Sequence, residues 1–111
     1  RNIEEKTTLR VLNYKDAIIS LGGGGFVNEK IRTEVLKSNF SFWLKWNNKT
    51  LIDRIKLSKK RPIVFNLREN ELNELIKKRS KIYSKAMFKI NCQNLKKSEI
   101  VQKIINIYEA N

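Results

Sequence analysis

The sequence predicts an α/β chain in which strands alternate with helices, so that crossover connections build a parallel sheet. Three observations predict it. Short apolar or aromatic runs stand at 16–21, 40–46 and 87–91, each followed by a stretch with helical spacing. All four glycines lie together, Gly22-Gly23-Gly24-Gly25, between the first apolar run and Asn28-Glu29-Lys30-Ile31, which reads as a helix start. At 111 residues, with no internal repeat and no low-complexity tract, the chain is at most one domain with a modest core.

Taken in order, Ile3 to Leu12 reads as a helix, with Ile3, Leu9, Val11 and Leu12 among charged neighbours. Residues 16–21 form a continuous apolar run after Asp16, the pattern of a strand buried on both faces. A helix is expected across Asn28–Lys37, with Asn28 as its N-cap and Ile31, Val35 and Leu36 inward. Phe40 to Trp46 reads as a second strand by its aromatic richness. Asn47 or Asn48 then caps a helix carrying Leu51, Ile52 and Ile55. Ser58 to about Asn66 is basic, holds the single proline Pro62 and has no helical period, so it reads as a mobile loop. Glu69 to Ser84 has the spacing of a long amphipathic helix through Leu72, Leu75, Ile76 and Ile82. Met87 to Asn91 is the third expected strand, and Ser98 to Glu109 the last helix, with Ile100, Val101, Ile104, Ile105 and Tyr108.

A strand that runs into glycines and then into a helix lets the backbone approach a small ligand. Residues without Cβ leave room for it and permit positive φ, and the carboxyl ends of strands are where α/β sheets bind ligands. A tight strand-to-helix turn without a ligand is the plainer alternative.

Composition removes several chemistries. Histidine is absent and Cys92 is the sole cysteine, which excludes Ser-His-Asp and Cys-His catalysis, a Cys/His zinc site and an internal disulfide. No apolar stretch has the length of a membrane span, and a cytoplasmic location is the default expectation. The net charge of +13 invites a nucleic-acid reading. Against it, the lysines are spread along the whole chain, most aromatics sit in apolar runs, and the 17 Lys, 14 Ile and 13 Asn share AT-rich codons. The charge suits anionic small molecules such as nucleotides equally well, so nucleic acid and membrane are not the expected partners.

With His and Cys set aside, glycines and arginines remain. Arginine is scarce, seven residues against 17 lysines, and its planar guanidinium can bind carboxylate or phosphate through paired hydrogen bonds. The spacing of these residues carries a resemblance. Ser20-Leu21-Gly22-Gly23-Gly24-Gly25 resembles the S-L-G-G-G-A stretch of shikimate kinases, small P-loop enzymes of aromatic amino-acid biosynthesis. Lys59-Lys60-Arg61-Pro62-Ile63 resembles that family's lid sequence K-K-R-P-L. Arg54 falls where the family has an arginine facing adenine. Lys78-Arg79-Ser80-Lys81-Ile82-Tyr83 is similar to its R-x-P-L-Y segment, and Arg1-Asn2-Ile3-Glu4-Glu5 to its F-R-x-x-E-E helix start.

The resemblance implies roles for individual residues. Arg1 and Arg79 would clamp the carboxylate of shikimate, with Glu4 orienting Arg1. Gly22, Gly23 and Gly24 would line the same pocket, and Pro62 would sit against the substrate ring. Arg61, on a lid at about 58–68, would reach the transferring phosphate as the catalytic arginine and contact ATP, and Arg54 would pack on the adenine. Each has a plainer alternative: Arg54 as a solvated charge on a helix face, Arg79 paired with Glu74 or another neighbouring carboxylate, Pro62 stiffening a loop, Arg1 a chain end. Two positions depart from the family pattern, since Lys81 and Lys97 stand where it usually places prolines.

No G-x-x-x-x-G-K-[ST] occurs in the 111 residues. The resemblance therefore implies a P-loop kinase-type parallel sheet flanked by helices, here as a partial domain lacking the first strand, the P-loop and the second strand. Residues 1–111 would be the C-terminal portion of a single domain, a monomer when complete and inactive alone. ATP and Mg²⁺ are the implied cofactors, the Mg²⁺ ligands being expected before Arg1. The implied reaction is phosphorylation of the 3-hydroxyl of shikimate. The alternatives are another P-loop small-molecule kinase, acting on gluconate or a nucleoside monophosphate, and a non-enzymatic basic nucleic-acid-binding protein.

Overall fold

The computed structural model describes residues 2–14, 16–57 and 68–111. Their order is α1 (Asn2–Val11), α2 (Glu29–Ser38), β1 (Phe42–Lys45), α3 (Asn48–Leu57), α4 (Glu69–Tyr83), β2 (Phe88–Asn91) and α5 (Lys97–Ala110). β1 and β2 pair in parallel, with Phe42 opposite Phe88 and Leu44 opposite Ile90. Two parallel strands need a crossover, and α3 and α4 lie within it. The expected α/β class with parallel pairing is therefore observed.

Side-chain chemistry sets the helix starts. Asn28 caps α2, its Oδ1 accepting from the Ile31 N–H at 3.0 Å, and Asn47 caps α3 by accepting from the Thr50 N–H at 2.9 Å. Of the two asparagines at that turn, Asn47 is the cap. At α5 the Glu99 carboxylate reaches back to the Lys96 N–H at 3.0 Å, half of a capping box. Lys97, in place of the family's proline, is the first residue of that helix. This is a position where proline's missing N–H would go unused anyway, so lysine fits there without strain.

Packing falls into three clusters, two of them joined by α4. Leu72 and Ile76, near its start, bury against Ile52 of α3. Ile82 and Tyr83, at its end, pack on the cluster of Leu12, Phe26, Ile31 and Val35 that joins α1, the glycine run and α2. The third cluster, Ile90, Cys92 and Ile100, lies between β2 and α5, with Phe42, Trp46 and Ile104 packed on it. Arg79 thus rides on a helix clamped at both ends.

The expected strand at 16–21 is corrected: no strand is present there among the described residues. Nor is the segment buried on both faces as expected: Ile19 and Leu21 pack on the Leu12 cluster, while Ile18 is fully exposed. A strand also needs a neighbour to complete its hydrogen-bond ladder, and β1 pairs only with β2 among the described residues. The second strand is shorter than the aromatic run that suggested it, because Phe40 and Ser41 precede the ladder. Ser41 is buried, and its Oγ accepts from the Met87 N–H at 2.8 Å.

Cys92 is completely buried, and burial pushes its thiol pKa up, with a hydrogen bond from the Lys45 backbone region acting the other way. The neutral, enclosed thiol is expected to react slowly with a thiol reagent at pH 8 in the native protein and about 100-fold or more faster in denaturant. Equal rates in both conditions would contradict this packing.

Candidate functional site

The glycine run folds as a turn that winds directly into α2. The Gly25 N–H donates to the Gly22 carbonyl at 2.9 Å, and the Asn28 N–H to those of Gly24 and Gly25 at 3.3 and 3.2 Å. Arg32 braces the far side, its Nη1 donating to the Phe26 and Val27 carbonyls at 3.2 and 3.1 Å. No glycine in the run has positive φ, so the conformational freedom anticipated for it is not used. Room is what the glycines supply. A Cβ on Gly23 would stand 3.0 Å from Arg79 Nη1, while the space beside Gly22 and Gly24 is open to at least 4 Å.

Arg79 is brought to this turn from 56 residues away. Its Nη1 donates to the Gly23 carbonyl at 2.7 Å, and the Tyr83 phenol donates to the same oxygen at 2.6 Å. The pair stands at i and i+4 on one face of α4. The ion pairs of the described residues are Lys30–Glu5 and Lys56–Glu69, so Glu74 does not neutralise Arg79. A guanidinium has five N–H donors, and the Gly23 carbonyl occupies one. The others remain for an anion beside the open backbone of Gly22 and Gly24, which suits a planar carboxylate.

Arg54 stands apart from this pair. It is exposed on α3, and its guanidinium lies over the Trp46 ring, 4.7 Å from the centroid, a cation–π contact. Glu4 is exposed on α1. Its expected partner Arg1, and likewise Arg61, Pro62 and the lid up to residue 67, lie outside the described residues. No group of three or more carboxylate, Cys or His side chains that could hold a metal ion is present among the described residues. The described residues therefore offer no such cluster to Mg²⁺.

Sequence reasoning gave no role to Tyr83, Trp46 or Glu5. Tyr83 was legible within the motif match, and its spacing from Arg79 is a helical one. Glu5 is the α1 carboxylate that does structural work: it accepts from Asn28 Nδ2 at 2.9 Å and pairs with Lys30 at 3.5 Å, tying α1 to the start of α2. The Asn28 hydrogen bond, opposed by partial desolvation and aided by Lys30, holds its carboxyl below the usual value of 4.5. A depressed carboxylate adds stability above its unfolded pKa, and that stability is lost as pH falls through the folded one. Glu5→Gln is therefore expected to reduce stability at pH 7 and to leave it unchanged relative to wild type well below pH 4.5, as read by urea unfolding at both pH values.

The parallel pair and the crossover through α3 and α4 define an α/β chain in which an arginine is set against a glycine turn. Comparison with known proteins narrows that class. The shikimate kinase family model matches residues 1–109, and the chain belongs to the shikimate kinase family, within the P-loop class of α/β folds. A shikimate kinase of Bartonella henselae is 31% identical over 106 residues, which cover 95% of this chain and 50% of that protein. One from Thermodesulfovibrio yellowstonii is 30% identical over 98% of this chain and 64% of its own length. The chain thus spans about half to two thirds of these relatives. No solved structure gives a significant match.

Proposed function

We propose that the protein carrying this chain transfers the γ-phosphoryl group of ATP to the 3-hydroxyl of shikimate, giving 3-phosphoshikimate for aromatic amino-acid biosynthesis. The observation that carries the reading is Arg79, seated on the Gly23 carbonyl with no carboxylate partner among the described residues, within a chain of the shikimate kinase family. In this reading the remaining N–H groups of Arg79, together with Arg1, grip the shikimate carboxylate, and Glu4 orients Arg1. The substrate lies along the backbone of Gly22, Gly23 and Gly24, with Pro62 against its ring. Arg61 neutralises charge on the transferring phosphoryl group, in the way an arginine supplied to that group serves such reactions. Arg54, backed by Trp46, offers its exposed guanidinium to the adenine. Mg²⁺, when bound, would neutralise phosphate charge, and none of the chain's described residues forms a site for it.

Because the 111 residues contain no P-loop motif, the chain alone is expected to release no ADP with ATP, Mg²⁺ and shikimate. A monomeric state and a cytoplasmic location go with this reading, and no helix among the described residues is long and apolar enough to cross a membrane. The substrate is tested by calorimetric titration of the full-length protein with shikimate and, in parallel, with gluconate, which also bears a carboxylate. Saturable heat with shikimate alone is the expected result. Preference for gluconate would transfer the proposal to another small-molecule kinase.

A further inference from the structure

We propose that Tyr83 is the positioning residue for Arg79, holding the glycine turn in place so that the arginine can turn from the Gly23 carbonyl to an anionic substrate. This rests on the reading of Arg79 as the carboxylate-binding group. The Gly23 carbonyl accepts from Arg79 Nη1 at 2.7 Å and from Tyr83 Oη at 2.6 Å, so both lone pairs of the oxygen have donors. If Arg79 were the sole donor, a carboxylate that drew the guanidinium toward itself would leave this exposed carbonyl to water and untie the turn from α4. With the phenol present the carbonyl stays bonded whichever way Arg79 points.

The phenol is itself fixed. Its ring lies between Phe26 and Trp43, with centroids 6.5 and 6.3 Å away and both pairs tilted. Phe26 is buried in the cluster that joins the glycine run to α2. The oxygen of Tyr83 is therefore located by packing that owes nothing to Arg79. Lys81, where the family usually has proline, lies within α4, and the helix continues through Tyr83.

Tyr83→Phe removes the hydrogen bond and keeps the ring between Phe26 and Trp43. In the full-length protein the variant is expected to raise KM for shikimate about fivefold, the worth of one neutral hydrogen bond, with kcat and KM for ATP within about twofold of wild type. An unchanged KM for shikimate in a folded variant overturns the proposal. So does a parallel loss in kcat and both KM values accompanied by a lower Tm, the mark of a merely structural tyrosine. Should the wild-type protein show no shikimate-dependent turnover, the substrate reading fails separately, and ¹⁵N NMR of the Arg79 guanidinium decides the positioning role. Slower averaging of its Nη signals in Tyr83→Phe, where the arginine is left as the carbonyl's sole donor, supports it, and identical or faster averaging overturns it.

Discussion

Replacing Arg79 with alanine in the full-length protein is expected to lower kcat/KM for shikimate by about 100-fold or more, with far-UV circular dichroism unchanged. The size follows from the proposed role: a guanidinium that grips a carboxylate through two charge-assisted hydrogen bonds, each stronger than a neutral one, loses both. The structure explains why the fold survives it. Arg79 is only half-buried, and the Gly23 carbonyl keeps the Tyr83 phenol as donor at 2.6 Å. Arg79→Lys is expected to recover only a small part of the loss, because an ammonium supplies the charge but not the planar fork. Steady-state kinetics with shikimate varied at saturating ATP measure both. A loss confined to ATP affinity would move Arg79 out of the shikimate pocket.

The largest effect on stability is expected from Leu72→Ala. Leu72 is 2% exposed and packs with Ile52 and Ile76 where α4 meets α3. Truncating a fully buried leucine costs about 2–5 kcal/mol, the lost transfer energy plus the cavity left behind. That is a large share of the total for a domain of this size. Since α4 also carries Arg79 and Tyr83, the variant is expected to lose activity in proportion to its unfolded fraction, with KM for shikimate unchanged in the folded remainder. Urea unfolding checks the first statement and kinetics below the unfolding temperature the second. The half-buried neighbour Leu75 serves as control, with a smaller loss on truncation to alanine.

Much of this architecture could be read from residues alone, for reasons that are local. Helix periods and caps are short-range, so α2 and α3 begin where Asn28 and Asn47 say they do. Phe42 and Phe88 marked the two strands by type, and they stack across the parallel pair at 5.3 Å. The segment at 16–21 shows the limit. Its continuous apolar run read as burial on both faces, yet Ile19 and Leu21 turn inward and Ile18 outward, because apolar type alone does not say which strand completes a ladder. The glycine run was legible as backbone left open to close approach, while Arg79 as a neighbour of that backbone came only with the family resemblance. The atom that a Cβ on Gly23 would meet belongs to Arg79, 56 residues further on. Likewise Arg54 was legible as an exposed helix charge, but the Trp46 ring beneath it follows from the turn between β1 and α3, which no periodicity describes.

The full-length protein carrying this chain is proposed to phosphorylate shikimate. The direct test is ADP release by that protein with ATP and Mg²⁺, in the presence and absence of shikimate, for wild type and for Arg79→Ala and Arg61→Ala. Release that requires shikimate and collapses in both variants is the expected result. A folded wild-type protein that releases no ADP with shikimate, or releases it equally without, would contradict it.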